Sequence, residues 1–245
     1  MFPVIQVGKL AIQTPGLLII LGLYLGISLA EHFLPKEKIS VNQFYAIIFI
    51  GFGVGIIGAR FFFIIQNIKL FSSSPLNVFS LDGDLLDPFA GVILAGISIL
   101  VYGYRNKLQF WSTLDLFTPV MAVFAIFLGL SHLASGKAYG VPTSLPWGID
   151  LWGENRHPSQ LYETIAALLI FLVLWRRYGR QGVPGIAFLL FISSTARVHL
   201  FLDAWRGDGM ILVVGIRLQQ LLAWLVMTMG LFFLDRQMQT RDATG

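Results

Sequence analysis

The stretch FYAIIFIGFGVGIIGARFFFII, residues 44–65, carries a single charged side chain, Arg60. Its length matches the ~20 residues that a helix needs to cross a hydrocarbon core of ~30 Å. In that medium every backbone N–H and C=O must be paired internally, which leaves a helix as the natural form for such a run. Blocks of the same kind recur between short polar stretches and predict helices over 15–33, 44–66, 86–104, 110–132, 160–176, 183–203 and 214–234. The expected fold class is all-α: a polytopic membrane protein, a bundle of seven transmembrane helices, with residues 1–245 forming one transmembrane domain.

Composition points the same way. Of the 245 residues 56% are apolar and 12% charged, about half the ~25% charged share of soluble domains, and the mean hydropathy is +0.75. The chain contains no cysteine, so disulfides, thiolate nucleophiles and thiolate metal sites are excluded and any reacting thiol belongs to a substrate. The formal charge of +4 comes from basic residues scattered between the apolar blocks, a pattern set by topology and not by nucleic acid.

Lys36 and Lys38, Arg105 and Lys107, Arg176, Arg177 and Arg180, and Arg236 and Arg241 fall in alternate loops and at the C-terminus. The positive-inside rule makes these cytoplasmic and the N-terminus external, with 236–245 as a short polar cytoplasmic tail. The first apolar block follows a neutral start without a small-residue cleavage site, and is expected to stay in the mature protein. The external side then holds the loop around Asp82, Asp84 and Asp87, a long segment over 133–159, and the stretch from Asp203 to Arg217. Within 133–159 the run GKAYGVPTSLPWGIDLWGENRHP, rich in Gly, Pro and Trp, resists long helices and suits a compact cap anchored at headgroup level.

Seven polar residues sit inside or at the ends of apolar blocks: Arg60, Asp115, His132, Glu163, Arg197, His199 and Asp203. At a helix centre each charge costs about 2.5–3.5 kcal/mol on insertion scales, so such groups turn toward one another or line a cavity. Two arginines in a partly desolvated pocket suit a phosphate diester, and the ligand expected is a phospholipid headgroup. Plainer readings stand beside this one: Arg60 and Glu163 as a structural ion pair, Asp115 as a helix-terminal carboxylate, His132 and His199 as hydrogen-bonded packing residues. The run RHPSQLYE, Arg156 to Glu163, opens the fifth helix with Pro158 in its first turn and presents Ser159, Gln160, Tyr162 and Glu163, with His157 just outside.

RHPSQLYE, following YGVPTSLPWGI, strongly resembles the bacterial prolipoprotein diacylglyceryl transferases. VIQVGKLAIQTPGLLI at the start, GARFFFII around Arg60, DLFTPV at Asp115, Arg197 in the sixth helix, and RGD at Arg206–Asp208 before RLQQLLAW extend the resemblance over nearly the whole chain. It implies seven helices in the bacterial inner membrane and transfer of the diacylglyceryl group of phosphatidylglycerol to the lipobox cysteine of a preprolipoprotein signal peptide. It implies no metal and no cofactor. The site residues it implies are Arg197, His157 and His132 as catalytic, and Arg60, Gln160, Tyr162, Glu163, Arg206 and Asp208 as lipid-binding.

The departures are as specific as the matches. The family's Gly-Arg-x-Gly-Asn-Phe signature places Gly129 at its arginine and His132 at its asparagine; its His-Gly-Gly reads Phe89-Ala90-Gly91 here, and its first-helix tyrosine is Pro15. Loss of a guanidinium that stabilises transition-state charge costs on the order of 10²-fold in rate. Two readings follow: a divergent transferase in which His132 and the retained arginines serve, or a non-catalytic relative that binds phospholipid or packs as a subunit of a larger membrane complex. A transporter or channel finds no matched pair of broken helices in support.

Overall fold

The computed structural model describes residues 4–7, 10–34, 39–73, 75–79, 85–176, 183–209 and 217–242. Lys36, Lys38, Asp82, Asp84, Arg177 and Arg180 lie outside the described residues, as do positions 214–216 of the last expected helix and 243–245 of the tail. The described chain is mostly helical, in the order β1 (Val4–Val7), β2 (Leu10–Gln13), α1 (Thr14–Phe33), α2 (Val41–Gln66), α3 (Ile68–Ser73), α4 (Pro88–Arg105), α5 (Phe110–Ser135), β3 (Ile149–Leu151), β4 (Glu154–Arg156), α6 (Ser159–Trp175), α7 (Ile186–Leu202) and α8 (Leu218–Asp242). Among the described residues six helices are long and apolar enough to cross a membrane, namely α1, α2, α4, α5, α7 with its following turn, and α8, while α6 is apolar but only 17 residues long. The protein is a multi-pass membrane protein.

Two features differ from the sequence reading. Residues 236–242, expected as a polar tail, continue α8; Gln239 Nε2 donates to Asp235 Oδ2 at 2.7 Å across one helical turn, the kind of i, i+4 pair that sustains a helix in water. The all-α expectation also meets two small antiparallel hairpins, β1 with β2 and β3 with β4. The second turns through Trp152 and Gly153, both at positive φ, the left-handed pair that matches strand twist in a two-residue hairpin loop.

The chain divides into two compact units, residues 38–110 and residues 1–37 with 111–245. In the first, α2 packs on α4 through small residues: a Cβ on Gly91 would lie 3.0 Å from that of Ala59, and one on Gly55 3.3 Å from the Gly91 carbonyl oxygen. Such close backbone approach replaces the hydrophobic drive that lipid cannot supply between helices. Asp87 caps α4, its Oδ1 accepting from the Ala90 N–H at 3.0 Å while Oδ2 accepts from Gln66 Nε2 at 2.7 Å; these bonds hold its carboxyl below the usual carboxylate range.

In the second unit α1 runs antiparallel to α5. A Cβ on Gly26 would sit 2.9 Å from the Val120 backbone, and Ser131 Oγ donates to the Pro15 carbonyl at 3.1 Å. Ala122, Leu174 and Phe191 join α5, α6 and α7 in a buried cluster. Asp115, expected at a helix terminus, reaches across from α5 to the start of α7, where its two oxygens accept from the Gly185 N–H at 2.5 Å and the Phe188 N–H at 2.8 Å. Gly185 stands at φ 93 against the Trp111 ring, so a side chain there is excluded by both conformation and space. Removing the cap, Asp115→Ala, is expected to cost about 1–2 kcal/mol, read as a lowered unfolding midpoint in detergent, with Asp115→Asn retaining part of the loss because one acceptor oxygen remains.

Candidate functional site

The site is built where α5 ends, α6 begins and α7 gives way to a 3₁₀ turn over Asp203–Trp205. Across the α5–α6 interface, Gly129 faces Thr164: a Cβ at 129 would lie 3.1 Å from the Thr164 backbone N and Cα and press on its Oγ1. That approach brings His132, one turn beyond Gly129, to Glu163, with Nδ1 to Oε2 at 3.1 Å.

The connection after α5 is pinned by its own backbone. Ala138 adopts φ 54, unusual for a residue with a Cβ. Its N–H donates to Asp208 Oδ2 at 3.1 Å and its carbonyl accepts from Ser159 Oγ at 2.5 Å. Gln160, fully buried, donates from Nε2 to the Lys137 carbonyl at 3.0 Å. The segment after α7 is stitched to the same loop, with Gly207 N–H on the Tyr139 carbonyl at 2.7 Å and Val141 N–H on the Trp205 carbonyl at 2.8 Å.

These constraints leave a cavity lined by Ala138, Ser159, Glu163, His199, Leu202, Asp203 and Arg206. Asp203 is 3% exposed and sits between two cations: His199 Nδ1 is 3.6 Å from its Oδ1, one turn back on the same helix, and Arg206 Nη1 is 3.8 Å from that oxygen. Arg206 is held in a fork by Asp208, Nε to Oδ1 at 3.0 Å and Nη2 to Oδ2 at 3.2 Å. Burial opposes the charge of Arg206, but the bonds and charges of Asp208 and then Asp203 outweigh it and hold the guanidinium above its ordinary range. Among the described residues no three His, Asp or Glu side chains come together as a metal site.

The sequence candidates are distributed unevenly over this geometry. Glu163 and Arg206 line the cavity, with His132 and Asp208 each bonded to one of them. Gln160 supports the loop from behind. His157 is buried in an aromatic cluster, its ring 4.9 Å edge-on to Trp205 and its Nδ1 3.4 Å from the Tyr162 hydroxyl, which also accepts from Trp147 Nε1 at 2.8 Å. Arg197 is exposed on α7 and makes no side-chain hydrogen bond or ion pair among the described residues. Arg60, in the other unit, donates from Nε to Val78 O at 3.2 Å, from Nη1 to Leu85 O at 2.9 Å and from Nη2 to Asn77 O at 2.5 Å, which makes it a clamp on those three carbonyls. The sequence reading counted His199 and Asp203 among the buried polar residues but not in the site. The signal was present as spacing: positions 199, 203 and 206 follow i, i+4, i+7 and share one helical face.

Residues 3–235 match the family described as prolipoprotein diacylglyceryl transferase. The chain belongs to that family. Among its relatives, the phosphatidylglycerol--prolipoprotein diacylglyceryl transferase of Finegoldia magna is 29% identical over 216 residues, covering 88% of this chain and 87% of that protein. The protein of the same name from Streptococcus pyogenes serotype M5 is 26% identical over 243 residues, 95% of this chain and 93% of its own.

Gly129, which the sequence reading sets against the signature arginine of this family, is fixed here by packing. With the Thr164 backbone 3.1 Å from a Cβ there, overpacking of this kind costs typically about 1–3 kcal/mol before a longer side chain is placed. Gly129→Arg is therefore expected to lower the folded yield and unfolding midpoint in detergent instead of raising activity, and Gly129→Ala to do so less severely. A well-folded Gly129→Arg protein with raised activity would contradict this packing account.

Proposed function

We propose that this protein transfers the diacylglyceryl group of phosphatidylglycerol to the cysteine thiol of a prolipoprotein lipobox, the activity named for its relatives. The observation that carries the reading is Arg206, lining the cavity at the start of α6 and preset by the Asp208 fork. A guanidinium held in one orientation offers its remaining N–H donors to a phosphate with little further ordering. As the thiol attacks the glyceryl carbon, charge gathers on the leaving phosphate, and a fixed donor there stabilises the transition state more than the ground state.

In this scheme Arg197, exposed one and a half turns before the end of α7, extends toward the headgroup layer and meets the anionic lipid there. His132 serves the acceptor thiol from its bond to Glu163. His157, Gln160 and Tyr162 hold the loop wall, and Arg60 retains two of its five N–H donors for a headgroup after binding three carbonyls. We further propose that α6 is the seventh crossing, its ~25 Å completed by the polar cavity at its start, with the N-terminus and the 133–159 cap external and the C-terminus cytoplasmic. Arg105 at the end of α4 and Arg176 at the end of α6 support that orientation.

The test is incubation of the purified protein with phosphatidylglycerol and a lipobox peptide, followed by mass detection of the diacylglyceryl thioether. Arg206→Ala is expected to lower the rate about 10²-fold, with Arg206→Lys recovering part of it. Absence of product above a no-enzyme control sinks the reading.

A further inference from the structure

We infer that the two imidazole–carboxylate pairs at this cavity, His132 with Glu163 and His199 with Asp203, act as general base and general acid in the transfer. The inference rests on the transferase reading and names the proton path that it needs.

Three observations converge. Each histidine turns Nδ1 to a carboxylate, at 3.1 Å and 3.6 Å, which leaves Nε2 as the nitrogen free to exchange a proton. Glu163, His199 and Asp203 line one cavity and His132 is bonded to Glu163 from behind that lining, so the two pairs meet at the cavity through their carboxylates although they come from different helices. The charges also do not balance without them. Glu163, Asp203 and Asp208 supply three negative charges against the two fixed positive charges of Arg206 and of Arg217, which is bonded to the Arg206 carbonyl. A phosphodiester adds a fourth, and in a partly desolvated site such an excess is neutralised by proton uptake on the nearest bases. The base nearest the buried Asp203 is the imidazole of His199. A guanidinium in either place would neutralise charge but stay protonated, so imidazole opens proton transfer that arginine cannot perform.

The surroundings divide the roles. His199 faces Asp203 and Arg206 beyond the end of its own helix and Glu163 from α6, while from α8 the uncharged Gln220 donates to the Leu200 carbonyl beside it, and Arg217 is bonded to the Arg206 carbonyl. Asp203 is the most buried carboxylate of the group and needs a cation on each side, so His199 enters the cycle protonated. His132 faces Glu163 from α6, and α1 opposes that end of α5 with Pro15, which carries no charge. In the step itself the thiol proton passes to His132 Nε2 as sulfur bonds to the glyceryl carbon. The carbon–oxygen bond to phosphate breaks with its electron pair remaining on oxygen, and His199 protonates the departing glycerol phosphate. One proton is taken up, one is given, and the two imidazoles exchange states until solvent resets them.

The experiment is a pH–rate profile for the full-length protein in phosphatidylglycerol-containing vesicles with a lipobox peptide. The expected profile is a bell. His132→Gln removes the fall on the acid side and His199→Gln the fall on the alkaline side, each lowering kcat by about 10²-fold. Asp203→Asn, which acts on a positioning residue, moves the alkaline limb to lower pH while KM changes little. Product formation with a flat profile through neutrality, or His→Gln variants that retain both limbs, overturns the acid–base pair while leaving the transferase reading intact. Absence of product at every pH overturns both.

Discussion

The site depends on the close approach of α5 and α6 at Gly129 and Thr164. With no side chain at 129, the two backbones come near enough that a Cβ would contact the Thr164 main chain. One turn further along α5, that spacing brings His132 to Glu163. A bulkier residue would lever the helices apart by their full length below the site, because packed interfaces transmit strain instead of absorbing it. The cavity wall formed by Glu163 and Ser159 at the start of α6 is positioned by the same contact.

Charge inside the cavity cluster is tolerated because each group there has a partner within it. Asp203 has His199 and Arg206, Arg206 has Asp208, Glu163 has His132, and Asp208 also accepts the Ala138 N–H. Each link ties a different segment to the next, so the α5 loop, the α6 start and the chain after α7 are ordered together. The apolar exterior carries the opposite logic. Phe49 and Ile57 are more than 70% exposed on α2, which water would penalise and a bilayer rewards.

The fold was legible wherever the apolar period alone decides it. Apolar blocks located the long helices to within a few residues, since membrane insertion leaves the backbone no alternative pairing. The two hairpins were not legible. The β3–β4 turn depends on Trp152 accepting φ 58, and no propensity favours tryptophan there; the surrounding loop, pinned through Thr143, His157 and Tyr139, imposes it. The length of α8 was underestimated for a related reason: polarity after Asp235 marks the end of a membrane span, but not the end of a helix.

Arg197 and His199 show where reading the site from sequence runs out. Both lie near the end of one apolar helix, and by charge alone the arginine is the stronger candidate for a buried partner. Two residues apart on a helix are about 200° apart around its axis, so only one of them can share the side of Asp203. That one is His199, at i, i+4 from Asp203, whereas Arg197 points outward. An exposed arginine near a helix end can extend its long stem to the headgroup layer, but a buried carboxylate cannot leave its place and must find its cation nearby. Asp203, the residue with the least freedom, therefore selects which basic side chain belongs to the cavity. In a membrane helix the shortest buried acid is a better guide to the functional face than the largest cation.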